Sequence, residues 1–110
     1  MVLPPTIKDI MSIYLDNGVS QDKSEVLTHL FLHYPLVDKS IHDELKQAIL
    51  KFGGFNSWHE GYGVLLEEVN ELWEEIKSKE SDANKIYKEA IQVSAMALEI
   101  ALYAALEVNK

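Results

Sequence analysis

The stretch Ala90–Leu106, AIQVSAMALEIALYAAL, limits what this chain can fold into more than any other. Only Gln92, Ser94 and Glu99 are strongly polar there, so a helix at this position is apolar almost all round and needs cover on most sides. A lipid bilayer is one form of cover. A span this short, interrupted by a glutamine and a glutamate, is costly in hydrocarbon, so no membrane role is expected. Alanines at 90, 95, 97, 101, 104 and 105 let neighbouring helices come close. One small chain has little with which to surround such a helix, so a second subunit is the expected cover. The chain is therefore read as a homo-oligomer, a dimer or tetramer.

The remaining punctuation is helical as well. Thr6 and Asp9 form a capping pair for a helix through Tyr14 that stops at Asn17-Gly18. Asp22 and Glu25 are a similar pair for a second helix, which Pro35 is expected to end. Ser40 and Asp43 open a third helix, closed by Gly53-Gly54; Ser57 and Glu60 open a fourth that runs to about Lys79. The last helix spans about 83–108. Apolar residues recur at three- and four-residue steps, and no stretch alternates for a strand's length. The expectation is one all-α domain over 1–110, a helical bundle completed by oligomerisation. Short N-terminal helices fill 1–54, and a long antiparallel hairpin fills 55–110.

Charge narrows the function. The net charge is −8, no arginine occurs, and residues 56–110 hold eleven acids against five lysines. Such a chain is poorly suited to gripping a phosphate backbone, so no nucleic acid is expected as a partner. Without cysteine, disulfides and thiolate chemistry are excluded. MVLPPTIKD lacks the basic and apolar regions of a secretory signal, which makes the cytoplasm the expected location.

The acids are concentrated in LLEEVNELWEEIK, residues 65–77. On a helical wheel Leu65, Val69, Leu72 and Ile76 form an apolar stripe, widened on one side by Leu66 and Trp73. Glu68 and Glu71 lie one turn apart along its other edge, Glu75 extends that edge, and Glu74 and Glu67 point away. Two carboxylates so placed repel one another, and an apolar surface worsens the conflict. In the last helix Glu89 starts an apolar face, with Gln92 one turn on. An antiparallel hairpin can bring Glu68, Glu71, Glu89 and Gln92 together as four oxygen donors. Hard oxygens suit Mg²⁺, with Mn²⁺ also possible.

Glu68-Val-Asn-Glu71, a linker and Glu89-Ala-Ile-Gln92 resemble the E-x-x-E and E-x-x-D motifs of the all-α nucleoside triphosphate pyrophosphohydrolases, the MazG-like superfamily. The resemblance covers roughly residues 55–106; residues 1–50 carry no such motif. It implies an Mg²⁺-dependent hydrolase cutting a nucleoside triphosphate between its α and β phosphates. Glu68, Glu71 and Glu89 would be catalytic metal ligands, Gln92 a weaker fourth, and Glu67 could orient the water. The departure is Gln92, which offers a neutral amide where the family has aspartate. A catalytically weakened oligomer that binds nucleotides or a protein partner is therefore the alternative expectation.

Trp58 and His59 could meet the base, and Lys88 the phosphates, although capping, packing and solvated-surface roles are the ordinary ones for such residues. His29 and His33 have the i,i+4 spacing of a zinc pair, but no third ligand is evident.

Overall fold

The computed structural model describes residues 6–110; MVLPP, part of the segment read for a secretory signal, lies outside the described residues. Among the described residues there are five helices and no strand: α1 (Ile7–Asp16), α2 (Gln21–Phe31), α3 (Tyr34–Phe52), α4 (Trp58–Lys77) and α5 (Ala83–Val108). They fall into two compact units, one up to Asp38 and one from Lys39 onward.

In the first unit α1 packs against α2. Thr6 and Asp9 make the capping box at the start of α1. At its end Asn17 is the cap and Gly18 takes φ +83°, a conformation that strains any residue with a Cβ. Val19 N–H then reaches the Tyr14 carbonyl and Gly18 N–H the Leu15 carbonyl, each at 3.0 Å. Together these bonds form a Schellman closure that turns the chain toward α2. Between the two helices the fully buried residues are Ser24 and Thr28. Thr28 Oγ1 donates to the Ser24 carbonyl at 2.7 Å and Ser24 Oγ to the Val19 carbonyl at 3.3 Å, so both hydroxyls are satisfied locally.

Two boundaries differ from the sequence expectation. Helix α2 begins after Ser20, which has the extended backbone of an N-cap, rather than at Asp22. Pro35 sits in the first turn of α3 instead of terminating the helix before it. First-turn N–H groups have no intrahelical acceptor, so proline costs little there. Ser40 and Asp43 are consequently interior to α3, and Asp43 pairs with Lys39 at 2.6 Å rather than capping.

The second unit is built on the α4–α5 pair. Ser57 caps α4 by accepting from Glu60 N–H, and Asp82 caps α5 by accepting from Lys85 N–H. Only residues 78–82 separate the two helices, which makes the pair antiparallel. Gly61 lets them meet closely: a Cβ there would lie 2.9 Å from Phe55 Cδ2 and 3.3 Å from Ile100 Cγ1. The core contains Leu45 of α3 with Ala95 and Met96 of α5, flanked by Ile41, Ala48, Phe55, Val64, Leu65 and Leu98. Tyr87 Oη donates to Ser40 Oγ at 2.8 Å and ties α5 to α3. By length and composition α5 is apolar enough to cross a membrane, its most apolar 18-residue stretch having a mean hydropathy of 1.5. Its buried face nevertheless carries the Glu99 carboxyl together with Ile91, Ala95 and Met96.

Candidate metal centre

The acidic edge of α4 and the first third of α5 meet in the second unit. Glu68, Glu71 and Glu89 each offer a carboxylate oxygen within 4.8 Å of the others. Glu68 and Glu89 are half-buried, while Glu71 stays exposed. Helical spacing explains the convergence: Glu68 and Glu71 are one turn apart on α4, and Glu89 faces them because the short linker folds α5 back. Turned so that its nitrogen faces the acids, the Gln92 amide donates to Glu68 Oε2 and to Glu89 Oε2, each at 3.1 Å. An amide here fixes two carboxylates without neutralising either of them.

The electrostatics show the strain of that arrangement. The Glu68 carboxyl is pushed up from 4.5 to about 7, first by burial, then by the charge of Glu71 and a hydrogen bond with it, then by Glu89 and Glu44. Glu44 lies on α3 and was not anticipated as part of this neighbourhood. Its signal was present: it stands between Ile41 and Ala48 at helical spacing, so it shares their inward-leaning side. Glu99 is a second buried acid, outside the cluster. It is 4% exposed, its Oε2 has no hydrogen-bond partner, and burial raises its pKa.

Other sequence candidates stand elsewhere. Trp58 and His59 line a groove of about 790 Å³ with Phe55, Tyr103, Leu106 and Lys110. Ten residues of helix separate Trp58 from Glu68, roughly 15 Å along α4, so this groove is distinct from the carboxylates. Lys88 is exposed beside Glu89. Lys77 is engaged by Glu74 at 2.8 Å and lies 5.5 Å above the Trp73 ring. An open recess of about 720 Å³ beside the cluster is lined by Asn70, Glu71, Glu74, Glu75, Lys77 and Ser78. Glu67 is exposed and outside the triad. The helical spacing of His29 and His33 is broken, because α2 ends at Phe31 and His33 falls in the following turn. His29 Nδ1 lies 2.8 Å from the Glu25 carbonyl oxygen.

Fold and site thus define a helical chain with three converging carboxylates and a bridging amide. Comparison with protein-family profiles, curated proteins and solved structures finds no match.

Proposed function

We propose that the protein is a Mg²⁺-dependent nucleoside triphosphate pyrophosphohydrolase, releasing a nucleoside monophosphate and pyrophosphate. The observation that carries this reading is the approach of Glu68, Glu71 and Glu89 to within 4.8 Å across the hairpin, the residues that the MazG-like resemblance implies. The donor set fits Mg²⁺ or Mn²⁺: the three groups are hard carboxylate oxygens, and burial together with the charges of Glu71 and Glu89 raises the Glu68 carboxyl to about 7. Glu68, Glu71 and Glu89 would hold the ion. Gln92 keeps Glu68 and Glu89 in register, and a half-turn of its amide would present oxygen instead of nitrogen.

Bound Mg²⁺ supplies Lewis acidity toward a phosphoryl oxygen and lowers the pKa of a bound water. In the net reaction the water oxygen bonds to the α-phosphorus, and the α–β bridging oxygen leaves with pyrophosphate. The open recess beside Glu71 leaves room for a polyphosphate. Its acidic lining means that phosphate charge has to be met by a cation and by lysines such as Lys88. Trp58 and His59 stand at a separate groove, where an aromatic face could take a base or another flat group.

The uncharged Gln92 favours a second reading, a weakened relative that binds nucleotides or a protein partner without efficient turnover. One experiment separates the two: pyrophosphate release from a panel of ribo- and deoxyribonucleoside triphosphates, with and without Mg²⁺ or Mn²⁺, by wild type and Gln92→Asp. Metal-dependent release by wild type supports the hydrolase. No release from any substrate by wild type, with activity appearing only in Gln92→Asp, supports the weakened form.

A further inference from the structure

The groove at the open end of the α4–α5 hairpin lies wholly within the second unit and is walled by Phe55, Trp58, Tyr103 and Leu106. Two of its rings are seated in glycine notches. A Cβ at Gly61 would lie 2.9 Å from Phe55 Cδ2, and one at Gly54 would collide with Tyr103 Oη. Neither glycine has a positive φ, so the backbone does not demand them. Gly61 even stands inside α4, where glycine is among the least favourable residues. Helix propensity is thus given up to set two rings side by side, 6.2 Å apart between centroids and tilted by 49°. The third ring, Trp58, stays 53% exposed at the same groove, although it offers more apolar surface than any other side chain type. At about 790 Å³ the space is that of a small-molecule site, and its walls suit a flat apolar body.

The polar rim selects the charge. The Trp58 indole, the Tyr103 hydroxyl, the His59 ring and the Lys110 ammonium are all donors. One acid lines the groove, Glu107, and Lys110 already holds it at 2.9 Å. Glu60, just outside, accepts from the Asn56 amide at 3.1 Å. Ser57 Oγ takes the Glu60 N–H, which leaves the N–H groups of Trp58 and His59 without an intrahelical acceptor. Donors therefore outnumber open acceptors, and the ligand has to bring acceptor oxygens. A single negative charge fits best. One lysine and one histidine are too few for a polyanion, and a chain of net charge −8 repels one.

We propose that this groove binds a planar aromatic monocarboxylate, its ring against Phe55, Trp58 and Tyr103 and its carboxylate toward the first turn of α4. The inference does not rest on the hydrolase reading, because it involves none of the metal-centre residues and is measured without metal or nucleotide. It gives the groove to a small aromatic acid rather than to a nucleobase.

The two tryptophans supply the test. Trp73 lies fifteen residues beyond Trp58, about 22 Å along α4, and serves as an internal control. Metal-free protein is titrated with naphthoate, naphthamide, naphthylmethylamine and a nucleoside, and the indole N–H signals are followed in proton–nitrogen correlation spectra. Loss of one signal in Trp58→Phe assigns it. Naphthoate should move the Trp58 signal saturably and leave Trp73 in place. The neutral amide should bind about tenfold more weakly, and the amine more weakly still. Gly54→Ala pushes the Tyr103 ring aside from an exposed loop position, and should weaken naphthoate by about threefold or more. Lys110→Glu, at an exposed position, should weaken naphthoate and leave the amide unchanged; if Gly54→Ala fails to fold, this variant decides. The proposal is overturned if naphthoate gives no saturable shift at Trp58, or shifts Trp73 in parallel. It is equally overturned if the amide, the amine or the nucleoside binds as tightly as naphthoate, or if both folded variants bind naphthoate like wild type.

Discussion

The α1–α2 hairpin and the α4–α5 hairpin both place polar side chains inside, and they treat them in opposite ways. Between α1 and α2, Ser24 and Thr28 are completely buried, yet each hydroxyl donates to a carbonyl of its own chain neighbourhood. The small side chains let the helices approach, and neither of these hydroxyls is left waiting for a partner. Between α4 and α5, three carboxylates converge beside the Gln92 amide, and burial first, then the neighbouring acids, push the Glu68 carboxyl up to about 7. Satisfied polarity serves packing. Polarity left in conflict is a strain that functional sites tolerate, and that is where chemistry is to be sought.

The sharpest way to break this contrast is to neutralise the second hairpin. Glu68→Gln or Glu89→Gln removes a metal ligand and relieves like-charge repulsion in the same step. Under the proposed function, pyrophosphate release should fall by at least about a hundredfold. In Glu68→Gln, thermal stability at neutral pH should be unchanged or higher, because a charge that burial disfavours has gone. Steady-state kinetics and a thermal melt on the same preparation check both halves. Full activity in Glu68→Gln would remove the cluster from the mechanism.

The first hairpin should respond in the reverse sense. Ser24→Leu forces a larger side chain into a fully buried position and should cost about 1–3 kcal/mol of stability. The pyrophosphate-release rate per folded molecule should stay at the wild-type level, since Ser24 belongs to the unit that lacks the carboxylates. Denaturant unfolding followed by circular dichroism, paired with the kinetic assay, measures the two separately.

What was legible in the sequence follows the same division. Local signals read well: the Thr6–Asp9 box, the Asn17-Gly18 stop, Ser57 as a cap and an α5 of 83–108 all depend on neighbours a few residues apart. Pro35 misled because one residue has two meanings, a stop inside a helix and a tolerated start in its first turn. The meeting of Glu68, Glu71 and Glu89 could be anticipated because an i,i+3 pair and a short linker fix most of its geometry. The inward lean of Glu44 is legible from its place between Ile41 and Ala48, but its approach to Glu68 is not, since nothing local says how α3 lies on the hairpin. Nor could spacing foretell that the Gln92 amide would turn its nitrogen to the acids. Hydrogen-bond direction depends on partners from two helices at once.

Acidity gives a third, smaller handle. Glu68 has its folded-state pKa raised from 4.5 to about 7, so the folded protein retains a proton that the unfolded chain releases. The contribution favouring the fold is fully present below pH 4.5 and is lost as pH rises through about 7. In the absence of divalent metal, the melting temperature should decline across that window, and Glu68→Gln should flatten the decline. Metal affinity should run the other way, because the ion and the proton compete for the same oxygens. Mg²⁺ or Mn²⁺ binding should weaken by about tenfold for each pH unit below 7, as one proton is displaced per ion. Isothermal titration at several pH values tests this, and pH-independent binding would place the ion elsewhere.

The smallest expected effect probes the satisfied hairpin directly. Thr28→Val keeps the shape of the side chain and deletes the hydroxyl that donates to the Ser24 carbonyl at 2.7 Å. Helix α2 runs through both positions, so that carbonyl also accepts the ordinary i+4 backbone N–H and is not orphaned by the change. What is lost is one net hydrogen bond, about 0.5–1.5 kcal/mol, partly offset by burying a methyl in place of a hydroxyl. A loss near 1 kcal/mol or less by denaturant unfolding fits a hydroxyl that serves local packing. A loss of about 3 kcal/mol or more would mean that Thr28 satisfies a second buried group. The two hairpins would then differ less in their use of buried polarity than their hydrogen bonds indicate.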